Sequence, residues 1–432
     1  MAEGKILVGI DVGTYKIVTV IAKVIEEVVN VLGVSEVKSQ GIRKGQVVDI
    51  EEAVNAVNSS LEAAERMAGY SASHVFVSIG GSQIESQNSR GVVAVSAPQG
   101  EITAEDLARV IDAAKAISIP SNREIIHVLP RNYIVDGQEG IKDPIGMSGI
   151  RLEVDTHIIT AMNVSVRNLE KAFSQVGVDV DNFIFSGYAS ALSVLSDTEK
   201  ELGVVLVDIG AGTTDISVYV EGSVAYSSVL AIGARHVTND LAIGLRISLE
   251  SAEKIKLYLS QSQAKRQVRT DEAVEVEVKE QKPSDEIDLS SLNLPEEIRK
   301  ASQKTLVDGI IRPRLNEICT MIGLEIKKSG FGGQTPAGIV FTGGGSLTVG
   351  IRDAARRSLA MPVRIGMPTN VKGIVDEVQH PAFSTAIGLI LYGIKNSSSK
   401  AAPFRFTMSK GSGAGFSSLF KKVISLIKSF IP

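Results

Sequence analysis

Two stretches of this chain gather an aspartate, glycines and hydroxyl residues at a spacing that can hold phosphate. They read Gly9-Ile-Asp-Val-Gly-Thr-Tyr-Lys16 and Asp208-Ile-Gly-Ala-Gly-Thr-Thr-Asp215. In each, an Asp-x-Gly turn sets backbone N–H groups at a tight bend, where glycine alone admits the close approach of a phosphate. The first turn offers Gly13, Thr14, Tyr15 and Lys16 as phosphate ligands; the second offers Gly210, Ala211, Gly212, Thr213 and Thr214. Asp11 and Asp208 lead the turns, where phosphates and a hydrated Mg²⁺ would meet, and magnesium keeps enough waters that one or two carboxylates suffice. A single glycine turn is weak evidence, because a plain β-hairpin explains it. Two matched turns and a third strand ending in glycines, Phe341-Thr-Gly-Gly-Gly-Ser346, are specific.

The elements that must position these turns are legible around them. Lys5 to Ala22 and Leu202 to Val220 each read as two strands about a glycine turn, with Asp208 in the place of Asp11 and Gly210 in that of Gly13. The distance between the copies is too long for a solenoid repeat, so two similar α/β halves are expected to face each other. A helix is expected between Asp49 as N-cap, with Glu52 as capping-box partner, and Gly69; another is opened by Thr103 with Asp106 at N3. His74 to Ile79 reads as a buried strand, and Glu124 to Tyr133 and Gly149 to Thr160 as further strand runs. Glu272 to Lys279 alternates as a half-exposed strand. Helical patterning resumes near Glu296 and runs to about Lys328, with a break or kink at Pro313. Residues 396–415 are a Ser/Gly/Ala-rich linker.

The chain has 432 residues, 45 Lys+Arg against 49 Asp+Glu, and 44% hydrophobic residues. That near balance excludes a general polyanion binder and gives no reason to expect nucleic acid. One cysteine, Cys319, cannot form an internal disulfide, so a reducing cytosol is expected. No signal peptide and no uninterrupted apolar run of about 20 residues is visible. The charge is uneven: after Glu377 there is no Asp or Glu, only Lys395, Lys400, Arg405, Lys410, Lys421, Lys422 and Lys428.

The tail carries its own chemistry. Apolar residues at Phe416, Leu419, Phe420, Val423, Ile424, Leu426, Ile427, Phe430 and Ile431 make one wide helical stripe, with Lys421, Lys422, Lys428 and serines opposite. Such a helix is about 22 Å long, too short to cross roughly 30 Å of hydrocarbon. It is expected to lie in the interface of an anionic membrane, each lysine contributing on the order of 1 kcal/mol. A basic polar face behind a long linker argues against docking on the body.

The three glycine motifs resemble the phosphate-1, phosphate-2 and adenosine motifs of the actin-like ATPases. Gly233 matches a glycine near the phosphates, and Glu253 and Lys256, three apart on one helical face, resemble the pair flanking the nucleoside beside Gly343, Gly344, Gly345 and Ser346. The long run from Ile125 to His157 resembles the inserted subdomain of the bacterial FtsA cell-division family, and the likeness extends over essentially the whole chain. It implies a duplicated actin-like (ribonuclease H-like) α/β fold with an inserted α+β subdomain. Subdomain 1A would span 1–81, 163–200 and 366–395, 1C the insertion 82–162, 2A 201–235 and 306–365, and 2B 236–305. The linker 396–415 and membrane-targeting helix 416–432 follow.

The resemblance further implies ATP and Mg as ligands, and self-association into protofilaments. It also implies capture of the FtsZ C-terminal peptide near Leu306, Arg312, Arg314 and Glu317, and other division proteins on 82–162. The place would be the cytoplasmic face of the membrane at the division site. A phosphotransferase of the same fold is the enzyme alternative, but Ser186 and Gly187 stand where many superfamily members carry Glu-Pro or Asp. That leaves at most a slow ATPase, with Asp208 or a water on Thr213 taking part. A chaperone would need a further domain for which no room remains after 395. A pilus-assembly relative shares the fold, and the terminal helix argues against it. His127 and His157, with no partner at ligand spacing, and Cys319, on an apolar helix face, read as packing residues.

Overall fold

The computed structural model describes residues 4–26, 28–96, 100–271, 285–373 and 378–398. The elements run β1 (Lys5–Val12), β2 (Lys16–Ile25), β3 (Val28–Lys38), β4 (Ile42–Arg43), β5 (Gln46–Val47), α1 (Ile50–Ala68), β6 (His74–Ile79), β7 (Glu85–Ala94), α2 (Ala104–Lys115), β8 (Arg123–Val135), β9 (Gln138–Ile141) and β10 (Arg151–Met162). There follow α3 (Asn163–Val176), β11 (Asp179–Phe185), α4 (Ser186–Val194), α5 (Asp197–Leu202), β12 (Val204–Ile209), β13 (Thr214–Val220), β14 (Ser223–Leu230), α6 (Ala234–Leu245) and α7 (Leu249–Asp271). The chain continues with β15 (Glu286–Asp288), β16 (Lys300–Ser302), α8 (Arg312–Ser329), β17 (Ile339–Thr342), α9 (Ile351–Leu359), β18 (Val363–Ile365), β19 (Val371–Gly373) and α10 (Ser384–Ser398).

The duplication is structural. One sheet has the order β3-β2-β1-β6-β11, with β19 added outside β3, and the other has β14-β13-β12-β17-β18. In both, an antiparallel three-strand meander is extended by parallel strands beside its first member. Continuous apolar runs explain why: β12 and β13 are buried along their whole length, as strands covered on both faces must be. Two large apolar cores follow: one packs the first sheet together with Val204, Leu206, Tyr219, Val224 and Val340 from one face of the second, and the other fills the opposite face of the second sheet. The insertion between β6 and α3 is a four-stranded antiparallel sheet, β7-β10-β8-β9, whose small core packs Ile102 and Val110 with Tyr133 and Leu152.

Local signals explain several boundaries. Asp49 accepts from the Glu52 N–H at 3.0 Å and Gly69 closes α1 at φ 63°, and Thr103 and Asp106 cap α2 reciprocally. The helix expected from Glu296 starts instead at Thr305, as a π-helical segment Thr305–Ile311 that runs into α8. Glu296 is drawn elsewhere: its carboxylate accepts from the Ser248 N–H at 2.8 Å and from Ser251 Oγ at 2.6 Å. Pro313 stands where the π-helical segment gives way to α8, the place of the expected break, because proline has no N–H to continue the helical ladder. The strand expected over 272–279, most of the linker and the tail helix lie outside the described residues. Among the described residues, no helix is long and apolar enough to cross a membrane.

Candidate functional site

The two Asp-x-Gly turns are built alike. Gly13 N–H donates to the Lys16 carbonyl at 3.1 Å, and Gly210 N–H to the Thr213 carbonyl at 2.9 Å. The registers agree, Asp11 facing Val18 on β2 and Asp208 facing Asp215 on β13. The turns oppose one another: a Cβ placed on Gly212 would lie 2.9 Å from Thr14 Cγ2 and 3.0 Å from its Oγ1. Thr14 Oγ1 is itself held by the Gly45 N–H at 3.1 Å.

Other elements seal this cleft. Ala234 and Arg235 N–H groups at the start of α6 donate to the Gly210 and Ala211 carbonyls, both at 2.9 Å. Gly233 lies so close that a side chain there would press on those carbonyls. Gly343, at φ 81°, packs on the end of β12; a Cβ there would overlap Asp208 Oδ1 and sit 2.6 Å from the Ile209 carbonyl. Ser346 Oγ closes the third loop onto the Gly343 carbonyl at 2.7 Å, while Gly344 is exposed. Glu253 and Lys256 pair at 2.8 Å, and both bond Thr238 Oγ1 on α6. Tyr15 is 46% exposed, and its hydroxyl is pushed up by partial burial and then by the charge of Glu253.

The electrostatics centre on three carboxylates. Asp11 accepts from Ser78 Oγ at 2.8 Å, and burial raises it against the pull of Ser78 and Lys16. Asp208 accepts from Ser190 Oγ and from Thr385 Oγ1, the latter at 3.2 Å; burial pushes it to about 6, opposed by Ser190 and reinforced by Asp11. Asp215 is raised well above the usual range by burial, then by Asp208 and Asp11, and its Oδ1 has no hydrogen-bond partner. Buried acidic groups that oppose one another's ionisation suit a site completed by a cation. Hard oxygen donors with an orphaned carboxylate oxygen fit Mg²⁺. Among the described residues no three acidic or imidazole groups converge at ligand distance, so the ion would be held largely through water.

Several candidate residues already have partners. Lys16 pairs with Glu36 and lies over the Phe383 ring at 4.4 Å. Leu306 is 1% exposed in the core of the second half, so it is not open to a partner. Arg312 pairs with Asp308 at 2.7 Å, and Arg314 forks onto Asp240 at 2.6 and 2.9 Å while bonding Glu317. Asp215 was not singled out by motif spacing, yet hairpin register would have found it, because a turn from Gly210 to Thr213 pairs it with Asp208. Ser78, Ser190 and Thr385 carry no sequence signal. The packing roles expected of three residues hold: His127 Nε2 accepts the Phe185 N–H at 3.0 Å, His157 bonds Asn88 and Ser227, and Cys319 is buried in the second core.

A family model described as "SHS2 domain inserted in FTSA" matches residues 81–160, and one described as "Cell division protein FtsA" matches residues 205–388. The cell division protein FtsA of Pseudomonas aeruginosa is 38% identical over 397 residues, 92% of this chain and 91% of that protein. FtsA of Borreliella burgdorferi is 40% identical over 388 residues, 90% of each, and FtsA of Escherichia coli K12 is 36% identical over 399 residues, 90% of this chain and 91% of that one. Among solved structures, a PilM–PilN type IV pilus biogenesis complex aligns with a TM-score of 0.62 at 15% identity, over 90% of this chain and 98% of that one. MreB5 of Spiroplasma citri bound to ADP aligns with a TM-score of 0.50 at 14% identity, over 91% and 99%. These structural likenesses carry the fold, which is actin-like with an inserted subdomain. Identity sustained over nine-tenths of both chains carries more: this chain belongs to the FtsA family of bacterial cell-division proteins.

Proposed function

We propose that the protein binds ATP with Mg²⁺ between its two halves, assembles with copies of itself, and tethers FtsZ polymers to the cytoplasmic face of the membrane at the division site. The observation that carries the nucleotide reading is the opposition of Thr14 and Gly212, two matched phosphate turns with Asp11, Asp208 and Asp215 buried behind them. MreB5, of the same fold, is a structure bound to ADP, which supports a nucleotide in this cleft. Backbone N–H groups near Gly13 and Gly210 to Gly212 would meet phosphate oxygens, Asp11 and Asp208 would hold waters of the ion, and Glu253 with Lys256 would flank the nucleoside. The ion supplies charge neutralisation at the phosphates when bound. Ser186 and Gly187 provide no carboxylate at the start of α4, so turnover is slow and nucleotide acts as a switch.

FtsZ's C-terminal peptide is assigned to the face formed by the end of α6 and the start of α8. Ile243 stands 77% exposed there, and Gly244 lies against Ile310. The charged network of Asp240, Arg314 and Glu317 adjoins it. The tail, from Phe416 to Ile431, supplies the membrane contact through its apolar stripe and lysines. Other division proteins are assigned to the 82–162 insertion.

Liposome co-sedimentation tests the tether. The full chain with ATP should pellet with anionic vesicles, less with neutral ones, and bring FtsZ down with it. A chain ending at Gly415 should stay in the supernatant. Equal partitioning of the two forms would exclude the tail as anchor and reopen the pilus-type and enzyme readings.

A further inference from the structure

The inserted subdomain touches both halves, in different ways. To the first half it is bound firmly: the Phe185 N–H donates to His127 Nε2 at 3.0 Å, and Tyr188 and Tyr392 pack on that imidazole. To the second half it is joined by a seam of side chains. The edge strand β7 lies along the edge strand β14 without a backbone ladder. Ser86 Oγ donates to the Ser227 carbonyl at 2.6 Å and accepts the Ser227 N–H at 3.2 Å. Two residues on, Asn88 Nδ2 donates to the Ala225 carbonyl at 3.1 Å. His157 locks the row, with Nδ1 at 2.7 Å from Asn88 Oδ1 and Nε2 at 3.0 Å from Ser227 Oγ. The spacing is that of an antiparallel pair in which side chains replace one strand's amides.

The strand so held leads straight to the nucleotide cleft. Beyond Leu230, the Ile232 carbonyl accepts from Thr214 Oγ1 at 2.8 Å, and the Ala234 N–H caps the Gly210 carbonyl. The seam and the cleft therefore bridge the same two halves at two places, joined by one short stretch of chain. Were the cleft to open by rotation of the second half against the first, the insertion, fixed through His127 to Phe185, would stay with the first. Such a rotation has to part Ser86 and Asn88 from β14.

We infer that this β7–β14 seam is a latch that couples the insertion to nucleotide retention, an inference that rests on the nucleotide reading above. With the seam made, the halves stay together and nucleotide leaves slowly; with it broken, they part and nucleotide escapes. Linkage makes the effect reciprocal: a partner that pulls the insertion from β14 speeds nucleotide release, and bound nucleotide tightens the seam. Side-chain bonds suit the purpose, because water replaces them when they break.

The test uses the full chain, Mg²⁺ and a fluorescent ADP analogue, with release followed by stopped flow. Ser86 is half-buried and Asn88 exposed on an edge strand, so S86A/N88A should fold normally. It should release the analogue at least about tenfold faster, the loss of three ordinary hydrogen bonds to β14. S86C/S227C should do the opposite when oxidised, slowing release at least tenfold until a reductant is added; the single native cysteine, Cys319, is buried and will not interfere. Wild-type release from both S86A/N88A and the cross-linked pair overturns the latch while leaving nucleotide binding intact. A wild type that binds no nucleotide overturns both readings.

Discussion

Gly212 faces Thr14 across the cleft at a distance that leaves no room for a side chain, so the two halves meet at their matched glycine turns. The tip of a rotatable side chain, rather than rigid backbone, fills the place a methyl group would take. G212A should therefore fold with a melting temperature within about 2 °C of wild type, since Thr14 can swing aside. In swinging it loses the Gly45 N–H and intrudes on the phosphate space, and nucleotide affinity should fall at least about tenfold, the value of one lost bond to a charged group. Calorimetric titration with ADP and Mg²⁺ decides; unchanged affinity would mean that phosphates lie elsewhere.

Gly343 is constrained twice over, by its φ of 81° and by the carboxylate of Asp208 against it. G343A should lose about 3 kcal/mol from backbone strain and overlap together. Its neighbour makes the control: a Cβ on Gly344 meets nothing closer than 3.8 Å, so G344A should stay within about 0.5 kcal/mol of wild type. Equal melting of the two variants would refute the packing of this loop on β12.

Asp208 is raised to about 6 chiefly by burial. Its folded pKa exceeds its unfolded value, so the folded state binds more protons between about pH 4 and pH 6, and stability falls as pH rises through that window. D208N keeps an acceptor for Ser190 and Thr385 without the buried charge. It should be more stable than wild type at pH 7.5, by on the order of 2 kcal/mol, and should show no such gain below pH 4. Its nucleotide affinity should collapse. Paired melts at the two pH values test the sign.

His127 and His157 run the other way. Burial holds each at about 3, so the unfolded chain takes up protons that the folded one refuses. Stability from this source is complete above about pH 6.5 and is lost as pH falls toward 3, on the order of 1.4 kcal/mol per pH unit for each imidazole. In NMR titration their ring resonances should hold constant from pH 8 to pH 5, and movement of either would contradict its burial.

Cys319 is the single thiol, buried, and pushed by burial to about 12. A disulfide reagent should leave the native protein unmodified and react with one thiol per chain in denaturant, which makes this residue a ready probe of unfolding in the second half. Rapid labelling without denaturant would place α8 outside the core.

Much of the fold was legible because its signals are local. Asp49, Gly69 and the Thr103–Asp106 pair each act on the helical turn beside them, and α1 begins and ends, and α2 begins, where they require. The two matched Asp-x-Gly turns were visible between strand-length apolar runs, and they carried the duplication and, by resemblance, the actin-like class. Elsewhere long-range bonds overrode the pattern. Glu296 looked like the start of a helix, but Ser248 and Ser251 claim its carboxylate, while residues 300–302 pair with 286–288. The partner of Lys16, Glu36 on the neighbouring strand, was likewise not visible in the motif.

By itself, then, the sequence determined the two halves, their matched glycine turns and the pattern of a basic amphipathic tail, because periodicity, caps and glycine turns act between residues close along the chain; the inserted subdomain was visible only as a family resemblance. Tertiary structure alone decided that Thr14 meets Gly212, that Ser190 and Thr385 share the carboxylate of Asp208, and that Ser86 and Asn88 fasten the insertion to β14. Buried polar groups must find partners wherever folding brings them. The identity of those partners depends on how separate sheets pack, which no local pattern encodes.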